Sequence, residues 1–164
     1  PEQQIYKIKL RLLDWDMYSK TAPLGDSVYI YTSEDPKRAK EIYGADVYNE
    51  VIKRMPETNF IIAYGQYSKQ EIINIYKCCF VGLRLTKFDG SANTVQELAL
   101  LGRQCVHNGD YSSSLSWNNA DDIVKLIKAR QQFGEDNQSL DKVRAGMIDD
   151  IDDEFSWLFQ STYV

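Results

Sequence analysis

Short apolar runs alternate with longer segments of helical periodicity from residue 27 onward. Four runs have the length and the β-branched and aromatic content of buried strands: residues 28–31, 59–63, 80–86 and 104–107. Between and after them, apolar residues at helical spacing predict helices over residues 36–55, 69–78, 94–101, 121–132 and 140–159. Gly44 is a candidate break in the first helix. Strands separated by helices imply crossover connections, so the pattern predicts an α/β domain with a Rossmann-like parallel sheet flanked by helices.

The first 26 residues follow a different pattern. Ile8, Leu10 and Leu12 alternate with basic residues, which is typical of an edge strand or an extended linker. We therefore expect a terminal or interdomain segment over residues 1–26. The Rossmann-like domain is expected over residues 27–164, ending in a C-terminal helix.

The composition is that of an ordinary globular protein. Of the 164 residues, 43% are hydrophobic and 26% are charged. The net charge of −5 argues against a nucleic-acid partner, because such proteins need a basic face. No apolar run is long enough for a transmembrane segment, and no signal-peptide pattern opens the chain. Because the chain begins with Pro1 instead of methionine, we expect a fragment of a longer protein.

The scarcity of cysteine and histidine excludes several chemistries. Cys78, Cys79 and Cys105 have neither zinc-site nor redox-pair spacing. An odd count without a framework predicts reduced, buried thiols in a cytoplasmic protein. His107 is the only histidine, so no histidine-based metal cluster can form. A catalytic triad would have to use that residue, and no nucleophile motif accompanies it.

Candidate functional residues are most concentrated in the loop after the third predicted strand. Ligands of open parallel sheets bind outside the carboxyl ends of the strands. Gly90, Ser91 and Ala92 are small enough for a ligand to approach the backbone. They lead into Asn93 and Thr94, at the start of a helix whose free N–H groups attract phosphate. The loop is therefore a candidate phosphate or diphosphate site.

Charged residues flank this loop. Arg84 and Lys87 add positive charge, and Glu97 lies about one turn inside the helix, where a carboxylate can accept two hydrogen bonds from a vicinal diol. Phosphate donors followed by a diol acceptor suit a nucleotide. A plainer interpretation stays open, because Thr94 and Glu97 also form a capping-box pattern and the two cations can be solvated charges at a strand end.

Residues 80–109 resemble the carboxyl-terminal half of GT-B-fold glycosyltransferases, particularly retaining enzymes that use nucleotide sugars. The hallmark of those enzymes is an acidic residue, seven intervening residues and a glutamate. Asp89 and Glu97 have that spacing, and an apolar helix and strand follow. More loosely, the resemblance extends over residues 28–127. It implies one half of a GT-B architecture, a UDP- or GDP-sugar as donor, no required metal and a missing N-terminal acceptor domain.

The resemblance also implies roles for individual residues. Glu97 matches the glutamate that holds the ribose hydroxyls. Asp89 matches the first acidic position, near the donor sugar, where the family more commonly has glutamate. The family's usual basic pair follows an earlier strand, and in this chain Arg84 and Lys87 are the expected diphosphate partners, which complete the expected catalytic set with Asp89. The expected nucleotide-sugar-binding residues are Ser33, Tyr64, Gly65, Gly90, Ser91, Ala92, Asn93, Thr94 and Glu97.

The implied activity is transfer of a sugar from a nucleoside-diphosphate sugar to an acceptor with retention, by a hexosyltransferase whose single domain is inactive alone. Two alternatives stay open. One is half of a nucleotide-sugar epimerase or hydrolase. The other is a non-catalytic α/β binding module of receiver type, which needs an acidic cluster after the first strand, where Glu34 and Asp35 lie.

The acidic run over residues 149–153 is interpreted as a solvated helix face.

Overall fold

The computed structural model describes residues 15–18, 20–65, 67–86, 89, 92–132 and 137–160. Its strands are β1 (Ser27–Tyr31), β2 (Asn59–Ala63), β3 (Cys79–Leu83), β4 (Gln104–Val106) and β5 (Ser114–Leu115). They form one parallel sheet in the order β2-β1-β3-β4-β5. The predicted Rossmann-like parallel sheet flanked by helices is confirmed. Only β5 was not predicted, because its two residues are too few to show periodicity.

The helices follow the predicted order with small shifts at their ends. A short 3-10 helix, Trp15–Tyr18, precedes the sheet. The α-helices are α1 (Pro36–Tyr43), α2 (Ala45–Arg54), α3 (Lys69–Lys77), α4 (Asn93–Leu100), α5 (Ala120–Gln132) and α6 (Asn137–Gln160). Each is amphipathic or buried against the sheet, as expected for helices that cover a parallel sheet.

The predicted break within residues 36–55 is confirmed at Gly44. Its φ of 69° lies in the left-handed region, which favours glycine, and a Cβ there would come within 3.1 Å of the Leu85 carbonyl oxygen. At the other end of α1, the Asp35 carboxylate accepts hydrogen bonds from the backbone N–H groups of Lys37 and Arg38. The polar turn after β1 therefore caps α1.

The two faces of the sheet carry different helices. Helices α1, α2 and α5 pack on one face, whereas α3, α4 and α6 pack on the other. Val28 and Ile30 face the first group and Tyr29 faces the second, because side chains alternate along a strand. From β1 the chain moves to β2 on one side, then crosses to β3 on the other. The carboxyl ends of β1 and β3 therefore form the switch point where ligands of such sheets bind.

Part of the segment before β1 packs against the domain. Tyr18 is 1% exposed within the core beside α3, α4 and α6. The backbone N–H groups of Ala22 and Gly25 donate to carbonyl oxygens of the domain, 3.3 Å away in both cases. A Cβ on Gly25 would lie 2.0 Å from the Cys78 carbonyl oxygen, so only glycine allows this approach. The strand or linker expected around residues 8–12 lies outside the described residues.

Arg103 joins this segment to the domain. Its side chain is fully buried, and its guanidinium donates to the carbonyl oxygens of Ala22 (2.9 Å), Pro23 (2.6 Å), Tyr76 (3.0 Å) and Cys79 (3.1 Å), among others. Burial lowers the pKa of Arg103 to about 10. Among the described residues, carbonyl dipoles and no carboxylate surround this cation. Arg103 thus joins its own loop to two backbone segments that are distant in sequence, residues 22–23 and 76–79.

The three cysteines are free, as predicted, but they are not all buried. Cys79 and Cys105 lie in the core, where burial raises the pKa of each thiol to about 12. Cys78 is exposed, which contradicts the expected burial. It lies at the C-terminal cap of α3, before the chain enters the sheet, and its Sγ donates to the Asn74 carbonyl oxygen at 3.3 Å.

Helix α6 carries the acidic run. Asp149, Asp152 and Asp153 are exposed, as expected for a solvated face. Asp150 is half-buried and accepts a hydrogen bond from the Ser112 backbone N–H at 2.8 Å. In the part of the chain that the structure describes, neither α6 nor any other helix is long and apolar enough to cross a membrane.

Candidate functional site

A cleft of about 280 Å³ opens at the carboxyl ends of β1, β2 and β3, between α3 and α4. This is the edge of the sheet where the sequence analysis expects a ligand. Its lining residues are Tyr29, Tyr31, Ala63, Gly65, Tyr67, Lys69, Ile72, Tyr76, Arg84, Asn93, Thr94 and Glu97. Five of them belong to the predicted site: Gly65, Arg84, Asn93, Thr94 and Glu97.

The Glu97 carboxylate is the most buried charged group of the cleft, with its side chain 6% exposed. Its Oε2 accepts a hydrogen bond from the Tyr76 hydroxyl at 2.9 Å, and its Oε1 contacts the ammonium of Lys69. A carboxylate offers about four lone-pair positions. Two positions therefore remain for a ligand, which is what a vicinal diol requires.

Burial keeps Tyr76 protonated and able to donate. The pKa of Tyr76 is raised well above its usual value, mainly by burial and further by Tyr29 and Glu97. The Tyr29 ring packs edge-on against it with ring centroids 5.1 Å apart, and burial raises the pKa of Tyr29 as well. Glu97 therefore has a hydroxyl donor throughout the neutral pH range.

The capping-box interpretation of Thr94 and Glu97 is wrong. Ala92 is the N-cap of α4, so the helix begins earlier than that pattern predicts and Thr94 is its second residue. Glu97 consequently lies in the second turn of the helix and points its carboxylate to α3 instead of back to the helix start. The Glu97 carboxylate therefore contacts a neighbouring helix and not its own helix start, and it lies in the lining of the cleft.

Arg84 forms a nearly buried ion pair at the end of β3. Its Nε donates to Asp89 Oδ2 at 2.8 Å, and the two side chains are 14% and 11% exposed. Thr86 Oγ1 donates to the same oxygen at 3.1 Å, and the guanidinium carbon lies 4.3 Å from the Tyr31 ring centroid. Burial alone lowers the pKa of Arg84, but the hydrogen bond and charge of Asp89 outweigh it and raise the pKa. A diphosphate would compete with Asp89 for this cation.

The start of α4 is partly satisfied by a tyrosine. The backbone N–H of Ala92, one of the expected phosphate donors, donates to the Tyr111 hydroxyl at 3.1 Å. Asn93 Oδ1 is buried and has no hydrogen-bond partner among the described residues. At the helix start, the Ala92 N–H is therefore already occupied by Tyr111. The Asn93 side chain, which lines the cleft, keeps an oxygen that could accept a hydrogen bond from a ligand.

Four described residues of the predicted site are not among those that line the cleft: Ser33, Tyr64, Asp89 and Ala92. Ser33 Oγ accepts a hydrogen bond from the Asp35 backbone N–H at 3.3 Å, within the turn that caps α1. Tyr64 is 45% exposed, just beyond β2. Three further predicted residues lie outside the described part of the chain: Lys87, Gly90 and Ser91.

Sequence reasoning missed Lys69 and Tyr76. A signal for both existed: Ser68 and Glu71 form a capping box, which marks the start of α3 at the carboxyl edge of the sheet. Lys69 is therefore the first residue of that helix. Tyr76 follows seven positions later, two turns along the same face. Their convergence on Glu97 depends on how α3 and α4 pack, which local sequence does not encode.

His107 ties the end of β4 to the end of β3. Its Nδ1–H donates to the Arg84 carbonyl oxygen at 3.0 Å, so the nitrogen that a triad carboxylate would need is occupied by a backbone group. Burial lowers the pKa of His107, although this hydrogen bond opposes the shift. The ring is therefore neutral at pH 7 and supports the strand that carries Arg84.

Replacement of His107 by asparagine, which keeps a donor toward the Arg84 carbonyl, is expected to flatten the acid dependence of stability. Unfolded histidine titrates near pH 6.5. Because the folded pKa is lower, the unfolded state binds more protons below that pH, and the wild type loses at most about 1.4 kcal/mol per pH unit until the folded pKa is reached. Urea unfolding between pH 7.5 and 5.5 tests this. Parallel curves for both proteins would contradict it.

The described residues contain no group of three histidine, cysteine, aspartate or glutamate side chains that could hold a metal ion. No protein-family model matches this chain, and comparison with curated proteins finds no similar sequence. The chemistry of the cleft is therefore the basis for assigning a function.

Proposed function

We propose that this chain is the donor-binding domain of a glycosyltransferase that takes a sugar from a nucleoside diphosphate. The observation that carries the proposal is the buried Glu97 carboxylate in the switch-point cleft, with lone pairs left for a diol. The same cleft contains Arg84, whose partner Asp89 stands eight positions before Glu97 in the spacing shared with GT-B enzymes.

The groups of the cleft match the parts of such a donor. Glu97 would accept hydrogen bonds from the ribose hydroxyls, and Arg84 together with the N-terminal end of α4 would face the diphosphate. The aromatic lining, including the 43% exposed Tyr67, offers a ring face to the base. The nucleotide part of the donor is expected to be UDP or GDP.

The proposed reaction breaks the bond between the anomeric carbon and a diphosphate oxygen. The electron pair stays on that oxygen, positive charge develops on the sugar, and a new bond forms to an acceptor hydroxyl, whose proton passes to the departing diphosphate. Arg84 would stabilise the leaving diphosphate, and Asp89 would lie near the sugar. A preorganised donor of this kind contributes about 3–4 kcal/mol to transition-state stabilisation. Retention and a second, acceptor-binding domain are part of the proposal.

A second candidate has one observation in its favour. The strand order β2-β1-β3-β4-β5 is that of flavodoxin-like and receiver-type modules. The acidic residues after β1 do not form the cluster that a receiver needs, because Asp35 caps α1 and Glu34 is exposed. Half of an epimerase or hydrolase shares the expected diol-binding glutamate, and it would differ from a transferase in the product formed.

Titration calorimetry of the full chain with UDP, GDP, their hexose conjugates and beryllofluoride with Mg²⁺ separates the two nucleotide-sugar candidates from the receiver. The proposal expects binding of a nucleoside diphosphate and its sugar. Binding of beryllofluoride alone would indicate a receiver, and binding of no nucleotide would refute the proposal.

Replacement of Arg84 by alanine is expected to weaken binding of the nucleoside diphosphate about tenfold to a hundredfold and binding of the free nucleoside much less. The reason is that a charge-assisted hydrogen bond contributes about 1.5–3 kcal/mol. Lys128→Ala, which removes an exposed cation from α5 on the opposite face of the sheet, is the matched control in the calorimetry. Equal affinity of Arg84→Ala and wild type would remove Arg84 from the site.

A further inference from the structure

We propose that Lys69 and Tyr76 are positioning residues that hold the Glu97 carboxylate in one orientation and thereby make the cleft selective for ribose over 2′-deoxyribose. This inference rests on the proposed function, because it concerns how the expected diol acceptor is held. Neither residue belongs to the glutamate spacing that suggests a nucleotide site. Their role is read from the contacts between α3 and α4 alone.

Both donors come from one face of α3. Lys69 and Tyr76 are seven positions apart, which places them two turns apart on the same side of the helix. Each contacts a different oxygen of Glu97: Tyr76 reaches Oε2 at 2.9 Å and Lys69 reaches Oε1. Rotation of the carboxylate about its terminal bond would break both contacts. The two donors therefore set its plane.

The position of Lys69 is unfavourable for a cation except for this contact. It is the first residue of α3, where the helix dipole places partial positive charge. Its side chain is 52% exposed, whereas that of Glu97 is 6% exposed. A half-exposed ammonium at a helix start is thus drawn toward a buried carboxylate that has no other cationic partner among the described ion pairs.

Selectivity for a diol follows from the lone pairs that remain. With one donor on each oxygen, about one further lone pair per oxygen is left. The two hydroxyls of a ribose can each donate to one oxygen, whereas a 2′-deoxyribose leaves one oxygen without its ligand. A carboxylate free to rotate would lose this matched pair of acceptors. A variant that lacks Lys69 should therefore still fold, but it should discriminate less between ribose and 2′-deoxyribose.

The contact itself is tested without ligand. Urea unfolding of wild type, Lys69→Met, Glu97→Gln and the double variant gives a thermodynamic cycle. We expect Lys69→Met to lower the unfolding midpoint in the wild-type background and to have little effect in the Glu97→Gln background. An equal effect in both backgrounds would overturn the claim that Lys69 holds the carboxylate.

The selectivity is tested by calorimetry with UDP, GDP, their 2′-deoxy forms and the free nucleosides. Lys69→Met should weaken ribonucleotide binding about tenfold and change 2′-deoxynucleotide binding little. The loss of affinity should be the same for the free ribonucleoside as for its diphosphate. Tyr76→Phe should act in the same direction, and Lys69→Arg should restore affinity. Lys77→Met, at the exposed end of the same helix, is the control.

Three results would overturn the assignment. A loss confined to the diphosphates would make Lys69 a phosphate ligand. Equal losses for ribo and 2′-deoxy forms would make its role structural only. Wild-type protein that binds no nucleotide would overturn the selectivity together with the proposed function, whereas the ligand-free cycle decides separately whether Lys69 holds Glu97.

Discussion

Replacement of Arg103 by methionine is expected to lower the free energy of unfolding by about 3–5 kcal/mol, the largest stability effect of any single substitution proposed for this chain. The guanidinium donates to backbone carbonyls before β1, at the end of α3 and in β3. Methionine fills a similar volume but donates nothing. Several buried carbonyl oxygens would then lose a hydrogen-bond partner, at a cost of about 1–3 kcal/mol each before relaxation.

Urea unfolding followed by circular dichroism measures this effect. Arg103→Lys should recover little of the loss, because one ammonium cannot reproduce the planar fork that serves carbonyls on both sides. Arg38→Met, which removes an exposed arginine from α1, is the control and should change stability by less than about 1 kcal/mol. An Arg103→Met protein with the stability of that control would show that the carbonyl contacts contribute little.

Glu97→Gln is expected to weaken binding of a ribonucleoside diphosphate about a hundredfold. Glutamine has the same shape, but its neutral amide replaces two charged acceptor oxygens with one neutral acceptor and one donor. Loss of charge assistance from two hydrogen bonds accounts for a change of about 2–3 kcal/mol. The Tyr76 hydroxyl and the Lys69 ammonium would also lose the charged partner that they contact in the wild type.

Calorimetry with UDP and GDP measures the loss. Glu50→Gln, an exposed glutamate on α2 at the opposite face of the sheet, is the matched control and should bind like wild type. A Glu97→Gln variant with the affinity of that control would show that the carboxylate does not touch the ligand, even if the cleft binds nucleotides by other groups.

The order of strands and helices was predictable because each buried element leaves its own periodicity in the chain. The alternation of apolar runs with helical segments suffices for a parallel sheet, and Gly44 marks the division between α1 and α2. The order of the strands within the sheet was not predictable in this way. It depends on which side each crossover takes, and the helix periodicity is the same for both sides.

The candidate site shows where local patterns stop being informative. Residues 68–71 and 94–97 both match a capping box, yet only the first pair, Ser68 and Glu71, forms one. The Glu97 carboxylate instead accepts contacts from Tyr76 and Lys69 on α3. These two donors come close to Glu97 only when the sheet has brought α3 and α4 together. Arg103 was overlooked for the same reason. Its carbonyl partners are mostly distant in sequence and carry no side-chain signal.

The central claim is that the cleft between α3 and α4 binds a nucleoside diphosphate. The most direct test is a titration of the ¹⁵N-labelled full chain with UDP and with GDP, followed by amide chemical shifts. The account predicts saturable shifts that centre on Gly65, Lys69, Asn93, Thr94 and Glu97, with little change in α2 and α5 on the opposite face. Amide shifts that do not respond to either nucleotide, or that respond only outside the cleft, would contradict it.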